Sequence, residues 1–141
     1  MKSLWPSGFR ETDVPSMRSI LEEQFQFLTD MTNGRVDGEV VALDGDDYNV
    51  EVPLADFMYR FSLIGRYIQN YRFRVFSFSH DVTLYPVQVS LDTELQKEFQ
   101  LPTHLNGVTL GSPAEAEKFL GEVFHSDRIK KVIGAILKLS R

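Results

Sequence analysis

Cysteine is absent from the 141 residues. That excludes a disulfide framework, a thiolate nucleophile and a cysteine-ligated zinc site, and it fits a reducing compartment. A chain of this length buries about two-thirds of the surface it exposes when unfolded, so it needs no such cross-links to fold. Long apolar runs are missing too: nothing approaches the ~18 residues that would span a membrane. The opening Met1-Lys2-Ser3-Leu4-Trp5-Pro6-Ser7-Gly8 has no signal-peptide core. The expectation is a cytoplasmic protein.

Other absences narrow the chemistry. Neither the Walker spacing nor Gly-x-Gly-x-x-Gly occurs, so no glycine-rich phosphate cradle is expected. Only three histidines are present, His80, His104 and His125, and no His-Glu-x-x-His run brings two of them together. The acidic cluster Asp44-Gly45-Asp46-Asp47 lacks the ligand series of a calcium loop and reads as a hairpin turn. No metal and no cofactor are expected.

What is present is ordinary for a globular chain: 43% hydrophobic and 25% charged residues. The net charge of −5 is uneven. Residues 1–70 carry twelve acidic and six basic side chains, and the last fourteen residues carry five basic and no acidic ones. An acidic total disfavours a general nucleic-acid binder and leaves room for a local anionic contact at the basic end.

The spacing of Met17, Ile20, Leu21, Phe25, Leu28 and Met31 predicts a helix over 14–32. Thr12 or Asp13 would cap it, Pro15 would sit in its first turn, and Asn33-Gly34 would end it. Strands are expected over 36–43, 48–54, 57–68, 71–79 and 82–91. Pro53 and Pro86 would mark an edge or a bulge. Short links between them favour an antiparallel meander. A short helix over 92–99 precedes a stretch, His104 to Leu110, that reads as a short strand or a crossover. Ser112-Pro113-Ala114-Glu115 is a capping box opening a helix with Ala116, Phe119, Leu120, Val123 and Phe124 on its apolar face. Ser126 or Asp127 caps a last helix with Ile129, Val132, Ile133, Ile136 and Leu137 inward. The fold class is α+β: an antiparallel meander of about five strands, an N-terminal helix and two to three C-terminal helices packed on one face. The whole chain, 1–141, reads as one domain, with residues 1–12 a loosely ordered arm.

Aromatics crowd the sheet: ten lie between Tyr48 and Tyr85. In the strand from Tyr71 they occupy both parities, Tyr71 and Phe73 against Phe76 and Phe78. Such a strand is buried on both faces or carries a bulge that switches face. Arg60, Arg66, Arg72 and Arg74 are interleaved with them, and the even-numbered Arg60, Arg72 and Arg74 share a parity within their strands. Arginine beside aromatics suits protein hot spots and also stacking on single-stranded nucleic acid. The candidate binding surface is therefore an open sheet face holding Arg60, Tyr71, Arg72, Phe73 and Arg74.

His80-Asp81 is the candidate catalytic pair for a small hydrolase or lyase, since an aspartate can orient an imidazole for general-base work. Set against it, His-Asp at a hairpin is commonly local turn chemistry. The basic last helix, with Lys130, Lys131, Lys138 and Arg141, either packs on its own domain or docks on a partner. Trp5, the one tryptophan, pins the arm to the body or serves as an exposed anchor.

No nucleophile, base and oxyanion site assemble at recognisable spacing. The leading expectation is a non-enzymatic accessory protein, of bacterial or phage type, that binds another protein. An immunity, antitoxin or inhibitor role would fit its size, and an exposed aromatic face would suit a homodimer. The alternatives are a single-stranded nucleic-acid binder through the arginine face and the His80/Asp81 enzyme.

Overall fold

The structure, a computed structural model, describes residues 1–44, 52–101 and 107–141. Helix α1 spans Met17–Met31 and is capped by Ser16, whose hydroxyl accepts from the Ser19 N–H at 3.1 Å. This corrects the expected start: Thr12 and Asp13 lie too far upstream to reach a free first-turn N–H. Pro15 stands just outside the helix, where its carbonyl accepts from the Tyr85 hydroxyl at 2.8 Å. The other end follows expectation. Asn33 and Gly34 turn left-handed at φ 53 and 79, and the Gly34 N–H donates to the Thr29 carbonyl at 2.9 Å.

Five antiparallel strands follow in a meander, paired in chain order: β1 (Val36–Ala42), β2 (Phe57–Gly65), β3 (Tyr71–His80), β4 (Val87–Leu91) and β5 (Gly107–Leu110). Helix α2 (Thr93–Glu98) precedes β5, and α3 (Pro113–Phe124) and α4 (Asp127–Leu139) close the chain. Ser112 and Ser126 cap the last two helices.

Three sequence expectations shift. The Asp44–Asp47 turn and the alternating 48–54 segment fall largely outside the described residues, as does His104. Val52, Pro53 and Leu54, which are described, form no strand. The strand expected over 82–91 begins only at Val87, because Leu84 turns left-handed at φ 76 and interrupts the extended path. The strand 57–68 stops at Gly65, and Gln69 and Asn70 take the left-handed positions of the reversal into β3.

A bulge settles why β3 is aromatic at both parities. Phe61 pairs with Phe76 but the next residue, Ser62, pairs with Arg74, so Val75 is the extra residue. Before the bulge Tyr71 and Phe73 point to the helix side; after it Phe76 and Phe78 do, each opposite a core neighbour across the ladder. The main core cluster lies on that side. Phe61, Leu63, Val75, Phe76, Phe78, Val89 and Leu91 from the sheet meet Met17, Ile20, Leu21, Leu95, Phe119, Leu120, Val123, Ile129 and Ile136 from the four helices. Phe61 and Phe76 meet edge to face at 5.2 Å between centroids, as do Phe76 and Phe119 at 5.9 Å.

Gly38 admits α1 to this arrangement. A Cβ on Gly38 would lie 2.2 Å from two ring carbons of Phe25. The bare backbone of β1 is what lets Phe25 settle and stack on Phe61 at 5.6 Å. Among the described residues no helix is long and apolar enough to cross a membrane.

Candidate binding groove

The apolar stripe of α1 runs the whole helix. At 100° per residue, Met17, Ile20, Leu21, Gln24, Phe27, Leu28 and Met31 fall on one face. Its first two turns are sealed: Met17 and Leu21 are fully buried. Its last two are not: Phe27 is 61% and Met31 82% exposed. A face that is buried at one end and bare at the other lacks cover rather than apolar character.

The matching deficit lies on α4. Ile129 and Ile136 are buried, whereas Val132, Ile133 and Leu137 are half-buried. Between the two helices runs an open groove of about 520 Å³, floored by Phe61, Leu63 and the bulge residue Val75. Its walls are Phe25, Phe27, Leu28 and Met31 on one side and Ile129, Ile133, Gly134 and Leu137 on the other. Phe124 and His125, where α3 ends, also line it. Polar groups are few: Gln24, His125 and Lys130 at the margin. Lys130 is exposed and has no ion-pair partner among the described residues. Volume and lining match sites that take an apolar occupant, with a few polar groups fixing its orientation.

Gly134 adds a separate indication. It sits within α4, where glycine weakens a helix by roughly 1 kcal/mol relative to alanine. Nothing lies within 4 Å of the Cβ it lacks. No neighbour among the described residues requires the small residue, and Gly134 lines the groove.

The sheet face expected to bind is organised differently. Arg60, Arg72 and Arg74 do share the face away from the helices, Arg60 opposite Ser77 and Arg74 opposite Ser62. Tyr71 and Phe73 do not join them. Alternation along β3 turns both to the helix side, where Phe73 packs on the core beneath the Arg128 guanidinium, 5.1 Å from its ring centroid. The arginines are also answered locally. Arg72 bonds Glu39 at 2.7 Å, reaching across β2, and Arg74 donates to the Ser77 hydroxyl at 3.0 Å. Arg66 pairs with Asp37. Burial pushes the Asp37 carboxyl up, but the Arg66 guanidinium, the Gly38 N–H and the Thr29 hydroxyl outweigh it and hold the group below its ordinary value. The Arg60 Nε is buried without a hydrogen-bond partner. On this face Arg72 is thus ion-paired and Arg74 hydrogen-bonded to its own sheet.

No hydrogen bond joins the Asp81 carboxylate to the His80 imidazole among the described residues. The imidazole is buried and lies against the rings of Phe57 and Tyr59, with centroids 5.6 and 5.8 Å away. Its Nδ1 meets the Asp81 backbone carbonyl at 2.7 Å, so Nδ1 carries the proton and Nε2 faces the interior with no partner. The Asp81 carboxylate instead accepts from the Asp56 N–H at 3.2 Å. The His80 side chain packs at the sheet end and the Asp81 carboxylate ties down the loop before β2. This corrects the expectation of an Asp-oriented base.

A second, polar depression lies between α2 and α4, lined by Glu94, Lys97, Glu98, Asp127, Arg128 and Lys131. Its central residue already has a task. The Glu98 carboxylate accepts from the Asp127 and Arg128 N–H groups at 2.8 and 3.0 Å, completing the α4 cap.

The groove residues carried a sequence signal that was read only as core. The stripe of α1 through Met31, the off-centre Phe27 and the aliphatic face of α4 present more apolar surface than one sheet face can cover. No family model matches the chain, and comparison with curated proteins and with solved structures found no match.

Proposed function

We propose that this protein is a non-catalytic binding module whose site is the groove between α1 and α4, and that its occupant is an apolar polypeptide segment. The observation that carries this is the uncovered half of the α1 stripe. Phe27 and Met31 stand exposed at the mouth of a trough whose floor is the core itself. Contiguous exposed apolar surface of this kind marks an interaction site. A segment presenting side chains at helical or extended spacing would complete the stripes of both helices, as amphipathic peptides do in apolar grooves. The arginine-bearing sheet face supports the role less well, because Glu39 and Ser77 already engage the guanidinium groups of Arg72 and Arg74.

The test is site-specific photo-crosslinking in the cells that make the protein. A benzophenone amino acid at Met31 lies in the groove mouth; one at Val82, also exposed, lies in the loop between β3 and β4. We expect a discrete polypeptide adduct from position 31 and none from position 82. Equal or absent adducts from the two positions would overturn the assignment.

A further inference from the structure

The same chain carries an apolar segment with nothing to cover it. Residues 1–15 lead into α1 as an irregular arm with no helix or strand. Along it Trp5 is 76% and Phe9 75% exposed, and Leu4 is more exposed still. Trp5 and Phe9 meet edge to face at 6.1 Å between centroids. Two large aromatics and a leucine left in water beside a groove lacking its cover are complementary deficits in one molecule.

We infer that the arm of one copy fills the α1/α4 groove of a second copy, and that the protein is an arm-exchanged homodimer. This rests on the groove being a polypeptide site and names the polypeptide. Three observations favour a second copy over folding back within one chain. The arm departs from the end of α1 opposite the groove, which begins only at Gln24, roughly 12 Å along the helix from Ser16. Its exit is fixed, because the Pro15 carbonyl is held by the Tyr85 hydroxyl and Val14, preceding proline, is confined to extended backbone.

The area agrees. Covering Leu4, Trp5 and Phe9 removes roughly 400 Å² of apolar surface per arm, given the 150–250 Å² an aromatic side chain buries. Two arms against two grooves then bury on the order of 1,500 Å², the size of a standard stable interface. Reciprocal exchange closes the assembly about a two-fold axis and leaves no arm or groove unfilled.

Trp5 makes the test direct, because as the sole tryptophan it reports only on the arm. The full chain is diluted through a concentration series, with tryptophan emission and sedimentation mass followed together. We expect a blue-shifted Trp5 and a dimer mass at high concentration, giving way together to exposed emission and monomer mass on dilution. Phe9→Ala keeps the reporter, and removal of such an aromatic anchor should weaken the dimer by roughly tenfold or more. Gly134→Leu, which fills the groove from a helix position with open space around it, should abolish both signals while the far-ultraviolet spectrum stays native. A blue-shifted Trp5 in a monomer, independent of concentration, would overturn exchange in favour of self-covering. Exposed Trp5 at every concentration would also overturn it. In that case an adduct from position 31 with a different protein preserves the groove and removes only the arm, whereas absence of any adduct removes both.

Discussion

Two glycines in regular secondary structure should respond to the same added methyl with opposite sign. At Gly38 the new Cβ would lie 2.2 Å from Cδ1 and Cε1 of Phe25, against a comfortable separation of about 3.5–4.0 Å. The ring must move by about 1.5 Å, and with the sheet beneath it and Phe61 stacked at 5.6 Å it can move only outward. Overpacking of this kind costs about 1–3 kcal/mol. Relief of the glycine penalty in a strand returns about 0.5–1 kcal/mol. We therefore expect Gly38→Ala to destabilise by about 1–2 kcal/mol. At Gly134 no atom lies within 4 Å of the new Cβ, so Gly134→Ala should stabilise by about 0.5–1 kcal/mol through helix propensity alone. Urea unfolding followed by circular dichroism, with unchanged slope, reads both. The double change Gly38→Ala with Phe25→Ala should be markedly less than additive, because the second removes what the first strikes. A neutral Gly38→Ala, or additive behaviour in the double variant, would refute the packing of α1 on β1.

Further outcomes follow from single contacts. Glu98→Ala removes the carboxylate that accepts from the Asp127 and Arg128 N–H groups; a loss of about 1 kcal/mol is expected by urea unfolding, as for other helix caps. His80→Phe keeps a ring between Phe57 and Tyr59, gives up one hydrogen bond and removes the unpartnered Nε2. A change within about 1 kcal/mol is expected, and a loss of several would contradict the structural role given to it. Asp37 has a lowered carboxyl value, so its contribution is present above the ordinary aspartate range and fades as pH falls through the folded value. The stability gap between the wild type and Asp37→Asn, measured by urea unfolding at neutral pH, should therefore close in acid; a gap constant down to pH 2 would contradict the pairing with Arg66.

Periodicity made most of the architecture legible. The stripes of α1, α3 and α4, the capping serines at 112 and 126 and the alternation of Val87, Val89 and Leu91 are local patterns, and the structure uses them as the sequence implies. The face taken by Tyr71 and Phe73 was not legible for a nonlocal reason. Val75 is extra only relative to the register of β2, which no inspection of β3 alone provides. Parity correctly grouped Arg60, Arg72 and Arg74, but the location of Glu39 beside Arg72 depends on strand order across three strands. The groove was hidden in the same way. Met31, Ile133 and Leu137 fall on apolar stripes by pattern, and only the spacing of α1 from α4 leaves them lining an open groove.

The most direct measurement compares how blocking the groove and altering the sheet face affect the adduct formed from a benzophenone at Met31. We expect Gly134→Leu to abolish the adduct and Arg72→Glu with Arg74→Glu to leave it intact. Loss with the arginine reversals and persistence with Gly134→Leu would move the binding surface to the open sheet face and contradict the groove.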